Sequence, residues 1–261
     1  MRFSPRQTPL LTISLTLVLA GCSVAPVETN GDGTDSVSTE RRHLLERIDD
    51  TGVIQLYADG FDELSLRDKV LCFHLANAAI AGRDIFIDQK FAHSLTIRNL
   101  LEELYVHRSG KVASTENEIE RYTKLFWLNN GIHDHLTTKK RRLALSLAEY
   151  QSALRAARKS GATLPSAHEV SELYSVMTDP NTFESCTNKS PDNDGDPLEA
   201  SCNNLYSGVS TIDLTRIKEL YPLNSRLVKR GGAVSEEVYR IGDPSMGIPR
   251  GRYARQLRQV V

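Results

Sequence analysis

The chain has 261 residues, 40% of them hydrophobic and 25% charged, enough for a globular core in one large domain or two small ones. Its formal net charge of −1 gives no global electrostatic basis for binding nucleic acid. The densest basic run, Lys139-Lys140-Arg141-Arg142, is short for a nucleic-acid patch and is expected to be a solvated face.

The first residues are an address. Arg2 and Arg6 form a basic start, and residues 10–20 are an apolar run too short to span a bilayer. Leu19-Ala20-Gly21-Cys22 then has the form of a bacterial lipobox. This predicts that residues 1–21 are a signal peptide and that Cys22 becomes an acylated, palmitate-bearing N-terminus. Ser23 rather than Asp follows the cysteine, which points to the outer membrane, facing the periplasm. Residues 22–37 carry few large apolar side chains and are expected to be a flexible tether. The folded domain is therefore expected over residues 38–261.

Residues 38–49 are spaced as a short amphipathic helix, and residues 53–57 as a β-prone run ended by Ala58-Asp59-Gly60. Over residues 65–87 apolar side chains occupy more than one helix face, which predicts a buried helix. Gly82-Arg83-Asp84 is expected to interrupt it, and Cys72 to be a small core residue. Ile97, Leu100, Leu101, Leu104 and Tyr105 fit the i, i+3, i+4, i+7, i+8 template. Later helices are predicted from capping-box pairs at Thr115/Glu118, Ser146/Glu149, Ser166/Glu169 and Ser210/Asp213.

Residues 178–206 are rich in Asp, Asn, Pro, Ser and Gly and predict a long loop, a feature usually functional or tied down. Within it Asp192, Asp194 and Asp196 alternate as in a calcium loop. Aligning Gly195 with the EF-hand glycine, however, puts Ser190 and Ser201 where acidic anchors belong, so a solvated turn is expected. Cys186 and Cys202 bracket the same loop, and export to an oxidising compartment predicts a disulfide between them, worth roughly 3 kcal/mol. Beyond it, two strand-like runs flank Gly231-Gly232, a hairpin signal. Tyr253, Leu257, Val260 and Val261 have helical spacing with no cap after them, as if the chain stopped inside an element. The expected fold class is α+β, predominantly helical, with a β-hairpin near the C-terminus.

The stretch Trp127-Leu128-Asn129-Asn130-Gly131-Ile132-His133-Asp134-His135 follows an apolar helical run and holds the only Trp. Polar residues crowded at a helix end suit a cleft edge, so Asn129, Asn130 and His133 are the candidate substrate-cleft residues. Local backbone bonding by the Asn side chains is the rival reading.

Five stretches together resemble the N-terminal region of the dipeptidyl peptidase III family of zinc metallopeptidases, in its bacterial form. They are Phe61-Asp62-Glu63-Leu64-Ser65-Leu66, Ala81-Gly82-Arg83-Asp84-Ile85 with Asp88-Gln89, and Phe126-Trp127-Leu128-Asn129-Asn130-Gly131-Ile132-His133. The others are Ser201-Cys202-Asn203-Asn204-Leu205-Tyr206-Ser207-Gly208-Val209 and Leu223-Asn224-Ser225-Arg226-Leu227-Val228-Lys229. The resemblance implies part of a two-lobed fold that removes dipeptides from peptide N-termini, with zinc held on the helical lobe by an H-E-x-x-x-H helix and a further Glu.

No His pair here has that spacing. In His168-Glu169-Val170-Ser171-Glu172-Leu173 a Leu stands at the second ligand position. His133 and His135 lack an evident third ligand. No catalytic residue and no metal ligand is therefore predicted within this chain, and zinc belongs only to the full-length family. The expected partners are a lipid membrane through Cys22 and, for the cleft, peptides. The competing expectations are a non-catalytic periplasmic peptide-binding or scaffold lipoprotein, and a calcium-stabilised adhesion module.

Overall fold

Of the range 38–49 expected to be a helix, residues 44–48 are instead a strand. The computed structural model describes residues 41–108 and 112–261, and in it β1 (Leu44–Ile48) pairs antiparallel with β2 (Thr51–Ile54). Asp49 turns the chain with a φ of 54°, a left-handed conformation that Asp tolerates better than most residues. Distant cations then hold the hairpin down: Arg121 on Asp49 at 2.6 Å, Arg141 on Asp50 at 3.1 Å and Lys124 on Glu46 at 2.7 Å. Tertiary pairing has overridden the helical spacing. The signal peptide, Cys22 and the tether lie outside the described residues.

Helix α1 (Leu66–Lys90) is capped by Ser65, whose hydroxyl accepts from the Asp68 amide. It runs unbroken through Gly82, so the expected interruption is absent. The expected burial is absent too. Leu66, Val70, Leu71, Phe73, Leu75 and Ile80 are exposed, as is Cys72, and α1 buries only Ile87 and Asp88 near its C-terminal end.

The core lies elsewhere. Helix α2 (Ser94–Val106) contributes Ile97, Leu100, Leu101 and Leu104, the apolar stripe its spacing predicts. Helix α3 (Ala113–Asn129) adds Ile119, Tyr122 and Phe126. Helices α4 (Leu147–Lys159) and α5 (Ala167–Thr178) close the cluster with Tyr150, Leu154, Leu173 and Met177. Both begin with reciprocal capping boxes, at Ser146/Glu149 and Ser166/Glu169, as predicted. Thr115/Glu118 is not one. Helix α3 already starts at Ala113, Thr115 is buried in its first turn, and Glu118 accepts instead from Arg121 and the Ala144 amide.

A loop follows α5, interrupted by a single 3-10 turn at Asp192–Asp194, and leads to β3 (Tyr206–Ser207). After the short α6 (Thr211–Leu214), boxed by Ser210/Asp213, come β4 (Ser225–Arg230) and β5 (Ala233–Val238). The strand order is β3-β4-β5, with β3 parallel and β5 antiparallel to β4. Gly231 and Gly232 both have positive φ, 57° and 82°, the requirement of the two-residue turn that matches strand twist. Helix α7 (Ala254–Val260) packs against α1, with Val260 facing Gly82. The fold is α+β and predominantly helical, with a hairpin near the C-terminus.

The basic run is not a simple solvated face. Lys140 is buried, and Arg141 is ion-paired to Asp134 at 2.6 Å.

Candidate functional site

Helix α3 ends in a Schellman closure. Asn130 takes the left-handed conformation at φ 50°, its amide reaches the Trp127 carbonyl, and the Gly131 amide reaches Phe126. That turn sends Trp127 and Leu128 outward and His133 inward. Of the three candidate cleft residues, only Asn130 borders an open cleft.

The cleft has a volume of about 670 Å³ and is lined by Arg83 and Ile87 of α1, Arg98 and Glu102 of α2, and Trp127, Leu128 and Asn130. The Trp127 indole donates to Glu102 at 3.0 Å and meets Tyr105 edge-on, with centroids 5.4 Å apart. Arg98 pairs with Asp84 at 2.5 Å. The indole is thus held upright by a charged neighbour on one side and a ring on the other, with 41% of Trp127 left exposed. Apolar aromatic surface with convergent polar groups is the make-up of a ligand site. Arg98 and Glu102 were not singled out in the sequence, although their i, i+4 spacing on one face of α2 was a usable signal.

Asn129 does not face this cleft. It is buried, its amide donates to the Leu125 carbonyl, and its oxygen accepts from the His135 amide at 2.9 Å. Local bonding by the Asn side chain, the rival reading, describes it.

His133 is fully buried beneath Phe91 and Phe183. Its Nε2 lies 2.8 Å from the Phe183 carbonyl, which can only accept, so Nε2 carries the proton. The Cys202 thiol sits 3.3 Å from the same nitrogen. Because that nitrogen is already a donor, it cannot take a proton from Cys202. Burial, reinforced by Lys90 and Lys140, pulls the imidazole down to about 4, and burial pushes the Cys202 thiol up to about 12. Both groups are neutral at pH 7, the opposite of an activated Cys–His dyad.

A half-buried lysine and a buried one tie this region together. The Lys90 ammonium donates to the carbonyls of Asn129 at 2.6 Å and His133 at 3.3 Å, closing the end of α3. Lys140 does the same for α5, reaching Val176 at 3.1 Å, Asp179 at 2.5 Å and Thr182. Cations at helix C-termini offset the unpaired carbonyls there. Burial lowers both lysine pKa values from the ordinary range. Asp134 accepts from the Thr137 and Leu136 amides and from Arg141, which holds its carboxyl far below the usual range.

Cys186 and Cys202 lie on adjacent chain segments, through Cys202 N to Ser185 O and Asn203 N to Cys186 O, both 3.1 Å. Both are free thiols in this structure. Asp196 accepts from the Thr211 hydroxyl and amide and from the Leu198 amide, so the acidic run works as a loop brace.

Four of the five stretches quoted for the resemblance converge at the end of α1. The Asp88 carboxylate accepts from Asn204 at 3.2 Å, from Tyr253 at 2.5 Å and from Arg252. Arg226 of β4 bonds the Asn204 oxygen and, at 2.7 Å, Glu237. Lys90, two residues on, holds the Asn129–His133 turn. The signal for this knot was the placing of Asp88 and Lys90 at the end of an apolar helix.

The residues present do not fit a catalytic zinc. Leu173 is buried in the core, and Glu169 is occupied by the α5 capping box. Among the described residues no three His, Cys, Asp or Glu side chains are grouped so as to hold a metal ion. Compared with known proteins, the chain matches no protein-family model and no curated protein.

Proposed function

We propose that this chain is the N-terminal portion of a dipeptidyl peptidase III-like zinc metallopeptidase, an enzyme class that removes dipeptides from peptide N-termini. Carried on a lipidated Cys22, it sits in the bacterial outer membrane facing the periplasm. It is inactive alone because it has no H-E-x-x-x-H helix. The observation that carries the reading is the convergence of four family-like stretches on Asp88 and Lys90. Residues quoted from sequence alone, and far apart in it, make one hydrogen-bonded knot.

The first test is the DNA following codon 261. A continuing frame that encodes H-E-x-x-x-H supports the reading, and an unrelated gene there overturns it. The second is the purified full chain with zinc and a dipeptidyl-naphthylamide. No turnover is expected, and chelator-sensitive turnover counts against the reading.

The open cleft at Trp127 favours a second reading, a non-catalytic peptide-binding lipoprotein. Because Trp127 is the only Trp, fluorescence reports on that cleft alone. A saturable emission shift with short peptides, lost in Leu128→Asp, supports binding; unchanged emission up to millimolar peptide rejects it.

A further inference from the structure

Helix α1 leaves the body of the fold with its N-terminal part bare. Leu66 is 78% exposed, Phe73 65% and Ile80 62%. An apolar patch of this kind marks an interaction surface. By length and composition α1 could cross a membrane. Its uncharged run, residues 70–82, nevertheless spans only about 20 Å at 1.5 Å per residue, against about 30 Å of hydrocarbon. Lys69 and Arg83 close the run at its two ends. A protein surface fits better than a bilayer.

The charges at those ends indicate which surface. Arg83 makes no ion pair or hydrogen bond among the described residues. Asp68 is bonded only by its own N-cap, leaving a carboxylate oxygen open. The two lie on one helix face, with Cys72, Leu75 and Ala79 between them at helical spacing. On the C-terminal part of α1 this is the face its neighbours leave free. Gly82 is turned to α7 and Asp84 to Arg98, while Arg83 and Phe86 stay exposed.

We propose that a second copy of this chain covers α1, through antiparallel pairing of the two α1 helices about an axis between Leu75 and Ala76. This register places Asp68 opposite the partner's Arg83, and Arg83 opposite the partner's Asp68. It sets Cys72 against the partner's Ala79 and brings the two Leu75 side chains together at the axis. Small residues at positions 72, 76 and 79 let the backbones approach closely. A parallel pairing in register would instead set Asp68 on Asp68 and Arg83 on Arg83, a like-charge arrangement that selects against it. The isologous contact is closed, so it yields a dimer rather than a filament. The pairing does not depend on the peptidase reading, which would survive a monomeric result.

The experiment is disulfide trapping in the full chain. Ala79→Cys puts a thiol opposite the partner's Cys72, and mild oxidation should then give a covalent dimer on a non-reducing gel. The dimer should vanish in C72S/A79C, which also controls for linkage through the other cysteines. It should vanish again in A79C/R83D, where Asp faces Asp, and return in A79C/D68R/R83D, where the charges are exchanged. Circular dichroism shows whether each variant keeps its fold. With a native spectrum, absence of the A79C dimer overturns the proposal, as does a yield indifferent to the charge exchange. A monomer in which added lipid vesicles shield α1 from proteolysis at Arg67, whatever holds the N-terminus, overturns it in favour of a membrane. A monomer whose α1 stays open to proteolysis with vesicles present overturns it in favour of a different polypeptide.

Discussion

The Asn204 side-chain amide donates twice to Asp88, to its backbone carbonyl at 3.1 Å and to its carboxylate at 3.2 Å, across 116 positions of sequence. The same carboxylate accepts from Arg252 and Tyr253, so one side chain fastens α1 to the long loop and to the segment leading into α7. Asp88→Asn keeps the shape but leaves Arg252 with only the more distant Glu237 carboxylate, 3.7 Å away. Breaking one partner of a buried pair costs about 3 kcal/mol at the lower end of the usual range. The lower end applies because a quarter of the Arg252 side chain remains in water. Urea denaturation should show a lower midpoint at unchanged slope. Adding Arg252→Met should return part of the loss, and no recovery would show that Asp88 acts mainly through Asn204 and Tyr253.

His133 sets a pH dependence. Its folded pKa of about 4 lies below the ordinary 6.5, so the unfolded chain binds the extra proton first as pH falls. Stability from this group is therefore complete above pH 6.5 and declines towards pH 4, by about 3 kcal/mol in all. His133→Gln should flatten the slope of unfolding free energy over that window. An equal slope in both proteins would mean other groups carry it.

Peptide mapping without reductant should find Cys186 linked to Cys202 in protein taken from an oxidising compartment. Closing the loop should stabilise by roughly 3 kcal/mol. Two free thiols in such material would reject the linkage. With the folded thiols pushed up by burial, the bond should form during folding and only slowly afterwards.

Cys22→Ser should leave the chain unprocessed or released, without the mass of a lipid. Unchanged mass and membrane fractionation would remove the lipoprotein assignment.

What the sequence disclosed was local. The pairs Ser146/Glu149, Ser166/Glu169 and Ser210/Asp213 were readable because a capping box is complete within one helical turn. Gly231-Gly232 was readable because few residues other than Gly accept two positive φ values in a row. Residues 44–48 were misread because their strand depends on Arg121 and Lys124, more than 70 positions away. Helix α1 was placed inside because apolar faces indicate that a cover is needed without saying whose. For the cleft, the polarity of Asn129 suggested exposure, yet its needs are met by neighbours four and six positions off. His133 and Cys202 come together over 69 positions, which no spacing rule encodes.

The burial of Lys140 also changes how the folded chain meets proteases. In the unfolded chain, Lys139 to Arg142 offers consecutive cleavage points to any trypsin-like enzyme. In the folded protein this segment is bridged to its neighbours at His133–Lys140 and Lys139–Ser185, with Lys140 buried under carbonyls and Arg141 pinned to Asp134. Arg67 and the adjoining turn of α1 stand in solvent. Brief digestion thus becomes a reporter of state. A first cut near Arg67 marks an intact core with α1 uncovered, protection there marks α1 occupied, and early loss at residues 139–142 marks global opening.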